Sequence, residues 1–127
     1  MGMTLTPMLT VRDAAKAIAF YERAFGAREI AARVTAPSGQ IVAKLAIDEQ
    51  PFFVVDENPA GFNLSPETLK GTSVRLNLVV DDPDAVAARA VAAGATVLFP
   101  IADQPYGMRQ GRVVDPFGHH WLVGKPL

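Results

Sequence analysis

The chain states one pattern twice. Leu9-Thr10-Val11-Arg12-Asp13 is answered by Leu78-Val79-Val80-Asp81-Asp82, which places Val11 and Val80 69 positions apart. Phe25-Gly26-Ala27 is answered by Ala93-Gly94-Ala95, with Gly26 and Gly94 68 positions apart, so one residue has been lost from the second helix. A self-match at this period, with the same element order in both copies, indicates a duplicated supersecondary unit.

In the first copy, Leu5–Val11 reads as a short apolar strand that Pro7 confines to a sheet edge. Asp13 then offers an N-cap, and Ala14, Ala17, Ile18, Tyr21, Ala24 and Phe25 recur at helical spacing up to Gly26, a left-handed C-terminal cap. Strands are expected at Ala27–Thr35, Ile41–Ile47 and Phe52–Asp56, with turns at Pro37-Ser38-Gly39 and Asp48-Glu49-Gln50-Pro51. Glu57–Thr72 has no sustained period and reads as a connecting loop. The second copy runs from a strand at Ser73–Val80, through the cap-plus-proline start Asp82-Pro83, to a helix closed by Gly94. Strands at Ala95–Phe99, Arg109–Val114 and His119–Gly124 follow, the last two joined by a type I turn at Asp115-Pro116-Phe117-Gly118.

The expected fold is therefore α+β: two βαβββ modules in a single domain over residues 1–127. Module 1 covers about residues 4–57, the linker about 58–72 and module 2 about 73–126. A unit of about sixty residues leaves one sheet face uncovered and is marginal alone, so the two belong together.

Composition narrows the function. Lys+Arg 12 against Asp+Glu 13 gives a formal charge of −1, which offers no electrostatic case for nucleic acid or an anionic membrane. The absence of cysteine excludes disulfides, a thiol nucleophile and zinc–thiolate sites. The two histidines, His119 and His120, are too few for an imidazole-rich metal site within one chain. Met1-Gly2-Met3-Thr4 lacks the basic and apolar regions of a signal peptide, and no apolar run approaches spanning length, so a cytoplasmic protein is expected. There is no Gly-x-Ser-x-Gly elbow and no phosphate-cradling loop. Asp81, Asp82 and Asp84 cluster at a helix start, where they complement its dipole, and Asp115 belongs to a turn.

Local motifs in both halves resemble the vicinal oxygen chelate superfamily, the glyoxalase/bleomycin-resistance/dioxygenase proteins. The resembling residues are Val11-Arg12-Asp13-Ala14-Ala15-Lys16-Ala17-Ile18-Ala19-Phe20-Tyr21 with Ala24-Phe25-Gly26-Ala27. In the second half they are Val80-Asp81-Asp82-Pro83-Asp84-Ala85, Ala92-Ala93-Gly94-Ala95 and Val114-Asp115-Pro116-Phe117-Gly118-His119-His120-Trp121. The resemblance implies mixed sheets that curl into a cup, and in many members a divalent metal at its base. The family's ligand positions fall here on Thr6, Lys44, Arg75 and Leu122. None of these suits a divalent cation: arginine is always protonated, lysine nearly so, and leucine has no donor. No cofactor and no metal are therefore expected. His119 continues the Asp-Pro-Phe-Gly-His motif and is read as a strand-start histidine with a locally bonded ring, and its neighbour His120 points to the opposite face.

Strand alternation then assigns the cup wall. Thr6, Met8 and Thr10, Val42, Lys44 and Ala46, Ser73, Arg75, Asn77 and Val79, and His120, Leu122 and Gly124 lie opposite the helix-covered positions. This mixed set suits a ligand concavity with apolar walls and a few polar groups. Lys44 and Arg75 favour an anionic or carbonyl-bearing small ligand, or else they extend to solvent or to acids at the sheet edge. Tyr106, Met108 and Arg109 read as a lid over a flat ligand or as a loop against a neighbouring subunit. Phe52, Phe53 and Phe62 read as core or loop anchors. The candidate ligand-binding residues are thus Thr6, Met8, Lys44, Arg75, Asn77, Tyr106, Met108, Arg109, His120 and Leu122. The expected activity is metal-independent small-molecule binding in a homodimer, drug-sequestering or carrier-like. The alternative is a metal-dependent lyase, isomerase or dioxygenase with an unconventional site.

Overall fold

The structure, a computed structural model, describes residues 2–127. Asp13 ends β1 (Met8–Val11) and starts α1 (Ala14–Phe25), its carboxylate accepting from the Lys16 amide at 3.1 Å. Gly26, at φ +67°, closes the helix with its amide donating to the Glu22 carbonyl. β2 (Arg28–Glu29), β3 (Val34–Thr35), β4 (Ile41–Ile47) and β5 (Gln50–Asp56) complete the first module. The second repeats it with β6 (Arg75–Val79), α3 (Pro83–Ala93), β7 (Thr96–Asp103), β8 (Met108–Val114) and β9 (His120–Pro126). Asp82 caps α3 through the Ala85 amide at 3.1 Å, and Gly94 ends it.

Each module makes one mixed sheet. The first has the order β1-β5-β4-β2, with β3 also on β4, and the second has β6-β9-β8-β7. β1∥β5 and β6∥β9 are the parallel pairs, and the remaining pairs are antiparallel. Both sheets are open, and no strand of one pairs with a strand of the other among the described residues.

The expected α+β duplication is met, with local differences. The single strand expected over Ala27–Thr35 is two short ones, β2 and β3. Between them Ala31 and Ala32 offer no bulk for cross-strand packing, and Arg33 turns back to Glu29 at 2.7 Å. The Glu57–Thr72 loop holds a 3₁₀ turn at Pro59–Gly61 and one helical turn, α2 (Pro66–Leu69), capped by Ser65. β7 continues past Phe99 through Pro100, which an edge strand tolerates because an outward position has no ladder bond for the missing N–H to break.

The core lies between the helices and one face of each sheet. α1 packs on β4 and β5, α3 on β7, β8 and β9, and the two helices pack on each other. Ile18, Leu45 and Val54 are fully buried, each contributing about 1.5–3 kcal/mol relative to exposure. Aromatic side chains fill the junction between modules: Tyr21 meets Phe52 edge-on at 5.6 Å, and Phe25 lies 4.7 Å from Trp121. Phe62, expected as an anchor, is 91% exposed at the left-handed end of the 3₁₀ turn, whereas Phe52 is buried.

Candidate functional site

The turn Asp115–Gly118 sets the position of β9 and so of everything on it. Its aspartate is buried and takes four donors. These are the Tyr21 hydroxyl at 2.5 Å, the Trp121 indole at 2.9 Å, and the amides of Phe117 and His119 at 2.9 and 3.0 Å. Burial, and then the charge of Asp115, push the Tyr21 phenol well above its ordinary range. This carboxylate is a fully engaged structural group. The His119 ring lies not on a local partner but 2.9 Å from the Thr10 carbonyl oxygen, linking module 2 to β1.

With the helices on one side, the opposite face of the second sheet is open. Cross-strand register fixes its rows. Phe99, Arg112, Leu122 and Asn77 form one row across β7, β8, β9 and β6, and Val114, His120 and Arg75 form the next. Arg112 thus stands directly beside Leu122 from β8, while Arg75 on β6 stands opposite His120, one row away on the same face. A recess of ≈ 210 Å³ on this face is lined by Arg75, Phe99, Gln104, Tyr106, Gln110, Gly111, Arg112 and Leu122.

Its shape follows from the irregular edge strand. β7 shifts register on either side of Phe99, which turns that ring to 5.5 Å from the Arg112 guanidinium. The bulge brings the β7 backbone so close to β8 that a Cβ on Gly111 would lie 2.6 Å from the Phe99 carbonyl oxygen. Tyr106 donates its hydroxyl to the Gln110 side-chain oxygen at 2.7 Å, and the Gln104 amide nitrogen donates to the Gln110 carbonyl at 2.9 Å. The Tyr106 loop is thereby tied to the recess wall.

Arg75, Tyr106 and Leu122 among the sequence candidates meet in this recess. Asn77 and His120 lie in its neighbouring positions on the same face. Met108 opens β8, in cross-strand register with Pro126. Lys44 is on the other sheet, its ammonium 5.5 Å from the Phe53 ring, and lines neither of the recesses that Arg75 lines. Met8 lines a different crevice, with His119, between β1 and β6, while Thr6 lies just before β1. Arg109 points to the helix side, where it holds Asp84 bidentately at 2.8 and 2.9 Å and Asp103 at 3.0 Å. These bonds hold the Asp84 carboxyl below its usual range and raise the Arg109 guanidinium.

Sequence reasoning missed Phe99, Gln104, Gln110 and Arg112. Alternation from Val113 would have turned Arg112 to the open face, but nothing in the sequence places the bulge that sets Phe99 over it.

The residues do not fit a divalent metal. Arg75 and Leu122, which the resemblance marks as ligand positions of the second module, stand on adjacent strands, one a fixed cation and the other without a lone pair. Among the described residues no group of three or more His, Asp or Glu side chains converges as a ligand set. What converges is the opposite charge.

Two βαβββ units with open mixed sheets, joined by helices on one side, define a paired-module α+β class. The family model described as Glyoxalase/Bleomycin resistance protein/Dioxygenase superfamily matches residues 4–123, and the chain belongs to that superfamily. An uncharacterized protein of Mycobacterium bovis is 45% identical over 127 residues, covering 97% of this chain and 83% of the relative. Two solved structures are also similar. A gene product of Arabidopsis thaliana has a TM-score of 0.75 and 28% identity, over 96% of this chain and 98% of that one. TioX of Micromonospora sp. ML1 has a TM-score of 0.75 and 28% identity, over 99% of this chain and 100% of that one.

Proposed function

We propose that the protein is a metal-independent binder of small anionic or carbonyl-bearing molecules, of the sequestering or carrier kind. Its site is the open face of the second sheet. The observation that carries this reading is that Arg75 and Arg112, in neighbouring rows of the open face, line one recess that holds no acidic side chain among the described residues. Two uncompensated guanidinium groups attract an anion and repel a divalent cation. The recess, ≈ 210 Å³, is below the ~300–1,000 Å³ of drug-sized sites. A small ligand fits it, and a larger one needs walls from a second copy.

A homodimer supplies those walls. Met8, Val74 and Val79, on or beside the free-edge strands β1 and β6, are 59%, 63% and 61% exposed, and association would cover them. Protein purified without chelator is expected to carry no stoichiometric zinc, nickel, manganese or iron by elemental mass spectrometry, and native mass spectrometry is expected to detect a co-purifying organic anion. One equivalent of tightly held metal would replace this reading with a metal-dependent lyase, isomerase or dioxygenase.

A further inference from the structure

Arg112 carries a feature that packing leaves unexplained. Its Nε is buried and has no hydrogen-bond partner among the described residues. Among the described residues the guanidinium makes no ion pair, although Arg109, three positions earlier on the same strand, has two carboxylates. A buried N–H on a cation is costly when unpaired, and native structures leave few such groups without a reason.

The surroundings indicate what completes it. The Phe99 ring lies 5.5 Å from the guanidinium and Leu122 stands beside it, so two apolar side chains border the cation. The Gln110 side-chain oxygen is already taken by the Tyr106 hydroxyl, and no bond among the described residues uses the amide nitrogen of Gln110. The recess therefore combines the N–H donors of Arg112 and Gln110 with the apolar side chains of Phe99 and Leu122.

We infer that Arg112 is the specificity-determining anchor for the carboxylate of a small, flat organic acid, which lays its apolar body against Phe99 and Leu122. This rests on the small-molecule-binding reading and adds the ligand class and the residue that selects it. The carboxylate oxygens accept from the Arg112 guanidinium, a small shift of which brings the buried Nε into the same fork, while Arg75 lines the recess and adds charge from the neighbouring row. Inorganic phosphate offers the charge without the body, and benzamide offers the body without the charge.

The test titrates the full chain with benzoate, benzamide and inorganic phosphate by calorimetry, for wild type, Arg112→Met and Arg112→Lys. Wild type is expected to prefer benzoate to either comparison compound by about tenfold or more, the order of one charge-assisted hydrogen bond. Arg112→Met is expected to lose at least that factor toward benzoate while melting no lower than wild type, because it also removes the orphaned donor. Arg112→Lys, which keeps the charge but not the fork, is expected to fall between them. Benzamide or phosphate equal to benzoate on wild type would overturn the inference, and this comparison holds even if a variant fails to fold. Benzoate affinity unchanged in either folded variant would overturn it too. If benzoate binding is lost in Arg75→Met but not in Arg112→Met, the anchor assignment fails while the broader binding function stands.

Discussion

The hydroxyl of Tyr21 donates to the carboxylate of Asp115 across 2.5 Å, joining the first helix of one module to the last turn of the other over 94 residues of chain. Both groups are buried, and the same carboxylate holds the Trp121 indole. Asp115 is therefore one of the groups that tie the two halves of the duplicated sequence together, beside the helix packing and the His119–Thr10 contact. Because β9 starts just beyond that turn, the bond also positions Leu122 and His120 on the open face.

Removing the hydroxyl tests this. Tyr21→Phe keeps the ring and its packing but withdraws one donor from a buried carboxylate, and it is expected to cost about 1–3 kcal/mol of unfolding free energy. Asp115→Ala strands the Tyr21 hydroxyl and the Trp121 indole together and is expected to cost more. Urea unfolding followed by Trp121 fluorescence measures both.

The same bond sets the response to alkali. Burial and the Asp115 charge raise the folded-state titration of Tyr21 above its unfolded value of about 10. The folded form therefore keeps its proton where the unfolded form has lost it, and stability falls as pH rises above about 10. The slope attributable to this group is at most about 1.4 kcal/mol per pH unit. Unfolding midpoints between pH 8 and 11 are expected to drop less steeply for Tyr21→Phe than for wild type above pH 10.

Gly111 is fixed by close approach, since an added Cβ would lie within 2.8 Å of three β7 backbone atoms. Gly111→Ala is expected to push β7 off β8, to destabilise by about 1–3 kcal/mol or more, and to move Phe99 away from Arg112. Thermal melts read the first effect and benzoate affinity the second.

Arg109 is expected to matter little to stability. Its partners Asp84 and Asp103 are 56% and 64% exposed, so Arg109→Gln is expected to cost no more than about 1 kcal/mol. The difference is expected to shrink further in high salt, a comparison that paired thermal melts make directly.

The duplicated architecture was legible because its signals are local. Asp13 and Asp82 cap helices, Gly26 and Gly94 end them, and the offsets of the two pairs, 69 and 68, differ by one residue. The length of β7 was not, because Pro100 reads as a terminator and only the free edge of the sheet lets the strand continue. Arg75, Tyr106 and Leu122 were legible as open-face residues through alternation and resemblance. Arg112 was not, since what distinguishes it is a missing partner for one buried atom, a property of packing rather than of pattern. Lys44 and Arg75 looked like a pair on sequence, but they lie on separate sheets, and strand alternation says nothing of how two sheets are placed.

The most direct test is benzoate titration of chelator-stripped protein, repeated with one equivalent of zinc, nickel or manganese. The account predicts the same affinity in every arm and no metal retained after gel filtration. Tight uptake of one metal ion, with benzoate binding that appears only in its presence, would contradict it.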